Sequence, residues 1–482
     1  MNNRKTMRYI SGSLVQLEAL FLILPILVGI IYKEKTTLDF LIVALICLIC
    51  GRLIRGRRRD NITIYSTAGY ASVAMCWIVI SIFGALPLYL SGYFNNPVDA
   101  LFEIVSGFTT TGATILNDVE ILPRSILMWR SLSHWIGGMG ILVLMLAILP
   151  MTGASGMNLM KAESPGPSVG KLVPKVGSTA KTLYGIYLFL TVLEMILLAL
   201  FGCPIFDSIN MAFATAGTGG YGVLNSSAGD YNTYIKIILT VFMILFGVNF
   251  NIYYLVITRH FKDALKSEEL RAYLLIIAAS IVAIAINTLH MFQNIGEAFL
   301  HSSFQVASIM TTTGFSTTDF NQWPELSRTI LVLLMFVGAC AGSTGGGIKV
   351  SRIVIMFKTV MKELAFIRHP RNIRKVHFEK KPIEHEVLRA VNIFLISYIF
   401  IFIISILLVS LDNHDGITNF TAVVATINNI GPGMNMVGPT SNFSFFSNLS
   451  KIVLIFDMLA GRLEIFPMLI LGTLIWKKKR WN

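Results

Sequence analysis

Long and short apolar runs alternate along this chain. Ten runs of about 20 residues, the length that crosses a bilayer core of roughly 30 Å, are separated by polar stretches. They lie near residues 13–32, 38–55, 66–91, 126–150, 181–202, 233–257, 272–292, 329–341 continued by 348–361, 388–411 and 449–475. Four shorter runs, near 97–110, 204–216, 295–312 and 415–428, have the length typical of re-entrant helices. The pattern predicts an all-α integral membrane protein with ten spans, one of them interrupted.

The order of these runs repeats four times after residue 60. Each unit contains a span, a half-helix, a glycine-bearing turn and a second span, and residues 1–60 add two extra spans in front. The predicted units are 61–155, 156–265, 266–384 with the interrupted helix, and 385–482. Their turns lie at Thr109–Thr114, Thr218–Tyr221, Thr312–Ser316 and Asn429–Gly433. We predict that four pseudo-repeats surround one central pore.

The residues of these turns suit an ion filter. Polar backbone within a membrane must be satisfied internally or line a water-filled cavity. A half-helix that begins at a cap and proline, as at Asn96-Pro97 and Cys203-Pro204, and ends at such a turn directs its negative carbonyl end into the pore. Glycine lets consecutive carbonyl oxygens face inward and replace the hydration shell of a potassium ion, and threonine hydroxyls add further oxygen.

Composition supports the membrane class and excludes others. The chain is 54% hydrophobic and only 13% charged, against about 25% charged residues in a soluble domain. Its formal charge of +13 does not indicate nucleic-acid binding, because the basic residues cluster beside apolar runs. The five cysteines offer neither a paired framework nor metal-ligand spacing with histidine, and Cys47 and Cys50 read as small apolar residues of a span.

The basic clusters predict the orientation. They follow the second, fourth, sixth and eighth spans and close the chain, so all five fall on one side. The positive-inside rule makes that side cytoplasmic. Both termini are therefore expected in the cytoplasm and all four turns toward the outer face. The cytoplasmic loops are short, so we expect any nucleotide sensing to come from another chain.

Several motifs resemble a known family. They are Trp129-Arg130, His134 to Gly140, the glycine-rich run Gly338 to Lys349, and Gly461 to Phe466. They resemble bacterial TrkH/TrkG sequences of the Trk/Ktr/HKT superfamily, in which one chain contains four potassium-channel-like units. The two extra amino-terminal spans are similar to those of TrkH-type chains, and the likeness covers essentially the whole length.

The resemblance implies which residues bind potassium in the filter. They are Thr110, Thr111, Gly112, Ala113, Gly217, Thr218, Gly219, Gly220, Thr312, Thr313, Gly314, Phe315, Asn429, Ile430, Gly431 and Pro432. The same comparison aligns Gly112 with Gly219, Gly314 and Gly431. In plant relatives, serine at the position of Gly112 accompanies sodium preference, so glycine here implies potassium. The fourth repeat departs most from the channel pattern, since it carries Asn429, Ile430 and Pro432.

The resemblance also implies cargo, partners and location. K⁺ is the expected transported ion, and this chain itself is expected to bind no nucleotide. The expected partner is a cytoplasmic nucleotide-binding RCK subunit of the TrkA type, docked on a homodimer of this chain in membrane lipid. The expected location is the bacterial cytoplasmic (inner) membrane.

A gate is expected below the filter. Glycine disfavours helix by about 1 kcal/mol relative to alanine, so a break is expected in the run Gly342, Ser343, Thr344, Gly345, Gly346 and Gly347. With the family resemblance, this run is interpreted as an intramembrane loop that blocks ions. The alternative is a glycine face for close helix packing. A nucleotide-binding P-loop does not fit, because Ile348 intervenes between Gly347 and Lys349.

Three further charged or polar side chains lie in or beside the predicted spans. Arg462 lies inside the tenth span and is interpreted either as a positive barrier in the pore or as the structural partner of Asp457 or Glu464. Lys349 either contacts the gate or extends to the membrane interface. His134 is interpreted as a hydrogen-bonded structural residue rather than a functional one.

The predicted function is therefore potassium uptake through a gated, single-chain filter. An alternative is a secondary transporter that couples potassium or sodium to protons or sodium, which ionisable residues at the midplane would favour. The filter turns contain no charged residue. A membrane enzyme is not expected, because the sequence shows no serine–histidine–acid set or metal cluster.

Overall fold

Helices separated by short turns form almost all of the described chain. The structure is a computed structural model that describes residues 3–56, 66–140, 176–369 and 375–476. The amino-terminal part contains α1 (Asn3–Phe21), α2 (Ile23–Ile31) and α3 (Thr37–Arg55). Helices α1 and α3 pack closely as an antiparallel pair, since a Cβ on Gly12 would lie 2.3 Å from the Arg55 backbone nitrogen.

The helices that follow are grouped here by the four predicted repeats. The first contains α4 (Ser66–Leu90), α5 (Pro97–Phe108) and α6 (Arg124–Gly138). The second contains α7 (Val176–Leu200), α8 (Ile205–Gly217), α9 (Thr233–Phe246), α10 (Phe250–Ile257) and α11 (Phe261–Lys266). The third contains α12 (Glu268–Thr288), α13 (Ile295–Met310), α14 (Glu325–Val337), α15 (Val350–Arg368) and the antiparallel strands β1 (His377–Phe378) and β2 (Lys381–Pro382). The fourth contains α16 (His385–Val409), α17 (Gly416–Ile427), α18 (Asn448–Arg462) and α19 (Phe466–Trp476).

The predicted half-helices are present as α5, α8, α13 and α17. Their lengths of 12, 13, 16 and 12 residues are too short to cross a bilayer. Three begin at a side-chain cap, in which Asn96, Asn294 or Asp415 accepts a hydrogen bond from a backbone amide of the first turn. Helix α8 begins directly after Pro204. The cap and proline signals at Asn96-Pro97 and Cys203-Pro204 therefore located the starts of α5 and α8 correctly.

The second span of a repeat is broken more often than the sequence predicts. The predicted break in the third repeat is confirmed, and it extends from residue 338 to 349, between α14 and α15. The predicted continuous spans 233–257 and 449–475 are wrong. Helices α9 and α10 meet at an angle of 92°, and α18 and α19 are separated by residues 463–465. The end of the predicted span 126–150 lies outside the described residues.

Local chemistry accounts for these two extra breaks. Gly247 ends α9, and the Asn249 side chain caps α10 by accepting a 2.9 Å hydrogen bond from the Asn251 amide. Between α18 and α19, Glu464 and Ile465 have positive φ of 52° and 72°, a strained conformation for residues other than glycine. An ion pair between Glu464 and Arg352 of α15 accompanies this strain.

Six helices of the described residues are long and apolar enough to span a membrane, or seven if the bent α9–α10 pair counts as one span. Two other predicted spans, 329–361 and 449–475, are divided into shorter helices, and the end of 126–150 lies outside the described residues. The ten-span count therefore stays a prediction, whereas the helical membrane fold is confirmed.

Candidate ion filter and gate

The four turns after the half-helices share one backbone conformation. Each has a residue with φ between 55° and 59°, followed two positions later by a glycine with φ between 77° and 100°. The first set is Thr110, Thr218, Thr312 and Asn429, and the second set is Gly112, Gly220, Gly314 and Gly431. Gly220 is therefore the counterpart of Gly112, and the alignment with Gly219 is wrong by one residue. Two adjacent glycines made the register ambiguous in the sequence.

The amides of the turns point back to their own half-helices. In each repeat, the residue after the first positive-φ residue donates a 2.8 Å hydrogen bond to a carbonyl in the last turns of the half-helix. The four pairs are Thr111 to Ser106, Gly219 to Ala214, Thr313 to Ser308 and Ile430 to Ala425. Because the peptide unit is planar and trans, the preceding carbonyl points the opposite way, away from that half-helix.

The turns also contact one another in a closed ring. A Cβ on Gly112 would lie 2.0 Å from the Gly219 carbonyl oxygen, and a Cβ on Gly220 would lie 2.0 Å from that of Thr313. In the same way, a Cβ on Gly314 would lie 2.2 Å from the Ile430 carbonyl oxygen, and a Cβ on Gly431 would lie 2.7 Å from the Thr111 carbonyl oxygen of the first repeat. Each glycine therefore packs against a carbonyl of the next repeat, and the fourth repeat closes on the first. No side chain fits at these four positions.

A cavity lies on each side of this ring. The first, which we name the vestibule, has a volume of 190 Å³ and is lined by all four ring glycines and by loop residues such as Asn117 and Asn225. The second, which we name the gate cavity, has a volume of 60 Å³ and is lined by Trp77, Gly346, Lys349 and Arg462 among others. The ring of turns separates the two cavities, as a filter in a pore would.

The loop between α14 and α15 contacts the turns from the side of the gate cavity. The Gly346 amide donates a 2.6 Å hydrogen bond to Thr312 Oγ1. A Cβ on Gly346 would lie 2.5 Å from the Asn428 carbonyl oxygen, and one on Gly345 would lie 2.9 Å from that of Thr311. The run Gly342–Gly347 is non-helical, so the alternative of a glycine face for helix packing is wrong. Its glycines instead permit close approach to the filter turns.

Arg462, the last residue of α18, connects this loop to the first repeat. Its guanidinium donates a 2.7 Å hydrogen bond to the Thr344 carbonyl oxygen and further bonds to the carbonyls of Gly137 and Gly138. The two acids considered as partners from the sequence have other contacts. Asp457 accepts a hydrogen bond from Ser405, and Glu464 pairs with Arg352. The cation therefore lies against backbone carbonyls at the wall of the gate cavity.

Lys349 and His134 are both buried. The Lys349 ammonium donates to the Gly345 carbonyl oxygen, so of the two alternatives the contact with the glycine-rich loop agrees with the structure and the extension to the membrane interface does not. His134 is hydrogen-bonded through both ring nitrogens, to the Gly107 carbonyl at 2.7 Å and to the Tyr221 amide at 3.3 Å. Because Nε2 accepts from the amide, Nδ1 carries the proton. The structural interpretation of His134 agrees with these contacts.

The sequence reasoning missed a buried ion pair beside the first filter turn. Arg130 and Glu103 approach within 2.8 Å, with side-chain exposures of 2% and 0%. Glu103 also accepts hydrogen bonds from the Thr114 hydroxyl and the Ile115 amide, at 3.0 and 3.1 Å. The Arg130 guanidinium lies 4.0 Å from the centre of the Tyr221 ring. Opposite charges in two adjacent apolar segments were the available signal.

The donors of the candidate site are backbone carbonyl and hydroxyl oxygens. The described residues contain no group of three or more histidine, cysteine, aspartate or glutamate side chains that could hold a metal ion. Carbonyl oxygens arranged around an axis suit an alkali cation that replaces its hydration shell. The half-helices end at the ring, so their negative carbonyl ends favour positive charge there.

Four pore-type repeats around one ring of turns define this chain as a helical membrane transport protein. The chain belongs to the TrkH family of cation transport proteins, whose sequence profile matches residues 37–480.

Individual relatives cover nearly the whole chain. A Trk system potassium uptake protein TrkH of Salmonella typhimurium is 37% identical over 474 residues, which are 96% of this chain and 97% of the relative. A Trk system potassium uptake protein TrkG of Escherichia coli is 35% identical over 473 residues, 97% of each chain. The crystal structure of the potassium transporter TrkH from Vibrio parahaemolyticus matches with a TM-score of 0.88 at 32% identity, covering 99% of both chains.

Proposed function

We propose that this protein takes up potassium through a filter formed by the four turns. One observation carries the proposal: each ring glycine packs against a carbonyl of the next repeat, and the fourth repeat closes on the first. Such a ring aligns equivalent backbone oxygens around a single axis, which is the arrangement that binds dehydrated potassium. The TrkH and TrkG relatives described above are potassium uptake proteins, which supports the choice of ion.

The proposed binding residues are the four sets named from the sequence, with Gly220 in the place of Gly219 as the counterpart of Gly112. Glycine at position 112 supports potassium over sodium, following the resemblance described above. The fourth set is the least regular, since the Asn429 side chain donates to Thr111 Oγ1 and to the Met458 carbonyl oxygen. We therefore propose that the filter has four-fold backbone symmetry but not four-fold side-chain symmetry.

The proposed gate consists of the loop Gly342–Gly347, Lys349 and Arg462. The loop is hydrogen-bonded to the filter turn through Thr312, and the two cations bond its carbonyls at Gly345 and Thr344. A guanidinium beside the ion path repels cations electrostatically, most strongly where water is scarce. In the described conformation, the loop and Arg462 together close the pore.

The membrane location, orientation, repeat boundaries and partners of the protein are part of the same proposal. We place it in the bacterial cytoplasmic membrane with both termini in the cytoplasm and the vestibule at the outer face. Repeat boundaries at 61–155, 156–265, 266–384 and 385–482 follow the half-helices. We also propose a homodimer controlled by a TrkA-type cytoplasmic RCK subunit. The names of the relatives as parts of a Trk system support association with further Trk components.

A flux measurement tests this function. The purified full-length protein is reconstituted in liposomes, and potassium flux is followed down a defined gradient, with sodium and proton gradients set to zero. We expect potassium to move without a second ion. Uphill potassium flux driven by an imposed sodium or proton gradient would instead establish the coupled transporter. The absence of charged residues from the filter turns does not favour that alternative.

A further inference from the structure

A buried carboxylate holds both ends of the gate loop. Glu269 lies in the first turn of α12 and is 4% exposed. Its Oε1 accepts a 2.7 Å hydrogen bond from the Ala341 amide, just before Gly342, and a 3.1 Å hydrogen bond from the Ser351 amide, in the first turn of α15. One oxygen atom thus joins the residues on either side of the loop.

The chemistry of this contact makes it strong. Hydrogen bonds to an ionised acceptor are shorter and stronger than those between neutral groups. The carboxylate also faces the amino-terminal end of α15, where the helix dipole favours negative charge. The loop cannot lift from the filter turns without either stretching these bonds or carrying α12 with it.

The position of Glu269 is in turn fixed by a hairpin on the side of the protein that carries the basic clusters, which we name the basic face. Strands β1 and β2 are joined by Glu379 and Lys380, whose φ values of 50° and 62° give the tight turn that favours hairpins. Glu379 Oε1 accepts hydrogen bonds from Ser267 Oγ at 2.8 Å and from the amides of Glu268 and Glu269 at 3.0 and 3.3 Å. The hairpin therefore caps the helix that presents Glu269.

A second contact fastens the same hairpin to the gating helix. Lys358 of α15 donates a 2.9 Å hydrogen bond to the His377 carbonyl oxygen and pairs with Glu268. Phe378 is buried against Ile355 and Val391. The hairpin, the start of α12 and α15 are thus one packed unit, with the gate loop at its inner end.

We propose that Glu269 is a positioning residue that holds the gate loop closed, and that Glu379 holds Glu269 in place, so that displacement of the hairpin releases the loop. This proposal rests on the proposed function, because it assigns the regulation of that same gate. It adds a route from the basic face to the filter through three consecutive contacts: Glu379 with the start of α12, Glu269 with Ala341, and Gly346 with Thr312.

The test compares potassium flux through liposomes for the full-length protein and its variants. Glu269→Ala removes the acceptor of both hydrogen bonds, and we expect flux in the absence of any partner to rise at least about tenfold, the effect of losing even one hydrogen bond to a charged group. Glu269→Gln keeps an oxygen that can accept both amides but loses the charge, so its flux is expected to lie between that of the unchanged protein and that of Glu269→Ala. Glu363→Ala is the matched control, because Glu363 lies on the exposed surface of α15 and forms an ion pair with its neighbour Lys362, away from the gate loop.

Hydrogen–deuterium exchange supplies a readout that does not depend on conduction. Exchange of peptides covering 338–352 is expected to accelerate in Glu269→Ala and to accelerate less in Glu269→Gln. Glu379→Ala is expected to raise both flux and exchange to a smaller extent. The double variant Glu269→Ala/Glu379→Ala is expected to match Glu269→Ala alone, because both residues act through one contact.

The contrary outcomes are distinct. Unchanged flux and exchange in a monodisperse Glu269→Ala protein overturns the proposal, as does a Glu269→Gln protein that conducts as strongly as Glu269→Ala. If Glu269→Ala does not fold, Glu379→Ala decides, and unchanged flux and exchange in it overturns the proposal. Arg462→Ala distinguishes failure of the proposed gate from failure of the proposed role of Glu269. Raised flux in Arg462→Ala but not in Glu269→Ala rejects only the role of Glu269. No rise in flux in either variant rejects the gate itself.

Discussion

The Gly346 amide donates a hydrogen bond of 2.6 Å to Thr312 Oγ1, which joins the gate loop directly to the third filter turn. Thr312 is one of the four equivalent positions with positive φ at the gate-cavity side of the ring. The same hydroxyl cannot keep this geometry when the loop leaves. In the proposed mechanism, closing of the gate and the environment of the filter are therefore linked through one side chain.

This link predicts the effect of two substitutions at Thr312. Thr312→Val removes the acceptor with little change in shape, so the closed loop loses about 1 kcal/mol of stabilisation and potassium flux rises several-fold. Thr312→Ser keeps the hydroxyl and the ordinary flux. Liposome flux assays measure both.

Thr218→Val is the matched control for a general effect on the filter. Thr218 occupies the equivalent position, but its hydroxyl bonds the Gly217 carbonyl of its own turn at 2.6 Å rather than the loop. A rise in flux in Thr218→Val equal to that in Thr312→Val would show that the loop contact is not responsible.

The ring predicts that Gly220 tolerates no side chain. A Cβ there would lie 2.0 Å from the Thr313 carbonyl oxygen, and its φ of 77° adds strain of about 1 kcal/mol for alanine. Gly220→Ala is expected to abolish selective potassium flux. Gly222→Ala, where the nearest atom is at 3.4 Å and φ is not positive, is expected to conduct normally. Selective conduction by Gly220→Ala would contradict the ring.

The Glu103–Arg130 pair predicts a stability effect. Arg130→Ala leaves a buried carboxylate without its cation, which costs about 3 kcal/mol or more and lowers the thermal unfolding temperature in detergent. Replacing both residues, as in Glu103→Leu/Arg130→Met, is expected to recover part of the loss because no lone charge remains. Arg328→Ala removes a more exposed pair and should change stability by less than about 0.5 kcal/mol. Equal losses of stability in Arg130→Ala and Arg328→Ala would show that the buried pair contributes no more to stability than the exposed one.

Asp415 predicts a pH-dependent cap at the start of α17. The Thr418 hydroxyl and amide bond its carboxylate and hold the pKa of Asp415 below its ordinary value. A lowered pKa means that this stabilisation is complete at neutral pH and is lost as the pH falls toward the folded-state pKa. Asp415→Ala should cost about 1 kcal/mol at neutral pH, and the difference should shrink on acidification. Thermal unfolding at a series of pH values measures it, with Asp415→Asn as the capped control; a difference independent of pH would contradict the account.

The sequence predicted the half-helices and turns well because their signals are local. Apolar length, the cap and proline signals at Asn96-Pro97 and Cys203-Pro204, and glycine after threonine each act within a few residues. The alignment of one filter turn with the next depends on contacts between repeats, which are distant in sequence. The choice of Gly220 over Gly219 depends on which glycine packs against the next repeat, whereas Gly219 faces the His134 ring, at 2.3 Å from an added Cβ.

Breaks without glycine were the least predictable feature. The break at Leu463–Ile465 contains only residues compatible with a continuing helix, and its Glu464 pairs with Arg352 of another repeat. The contacts of Glu269 with Ala341 and Ser351 were likewise invisible, because they join residues about 70 to 80 positions apart. Such tertiary contacts override local propensity.

The most direct test of the filter is the ratio of potassium to sodium flux before and after Gly112→Ser. A serine side chain would start 2.0 Å from the Gly219 carbonyl oxygen and so displace an oxygen of the ring. Gly185→Ser, on α7 with no atom within 4 Å of an added Cβ, is the control. We predict that Gly112→Ser shifts the ratio toward sodium while Gly185→Ser leaves it unchanged. An unchanged ratio in a folded, conducting Gly112→Ser protein would contradict the assignment of these turns as the potassium filter.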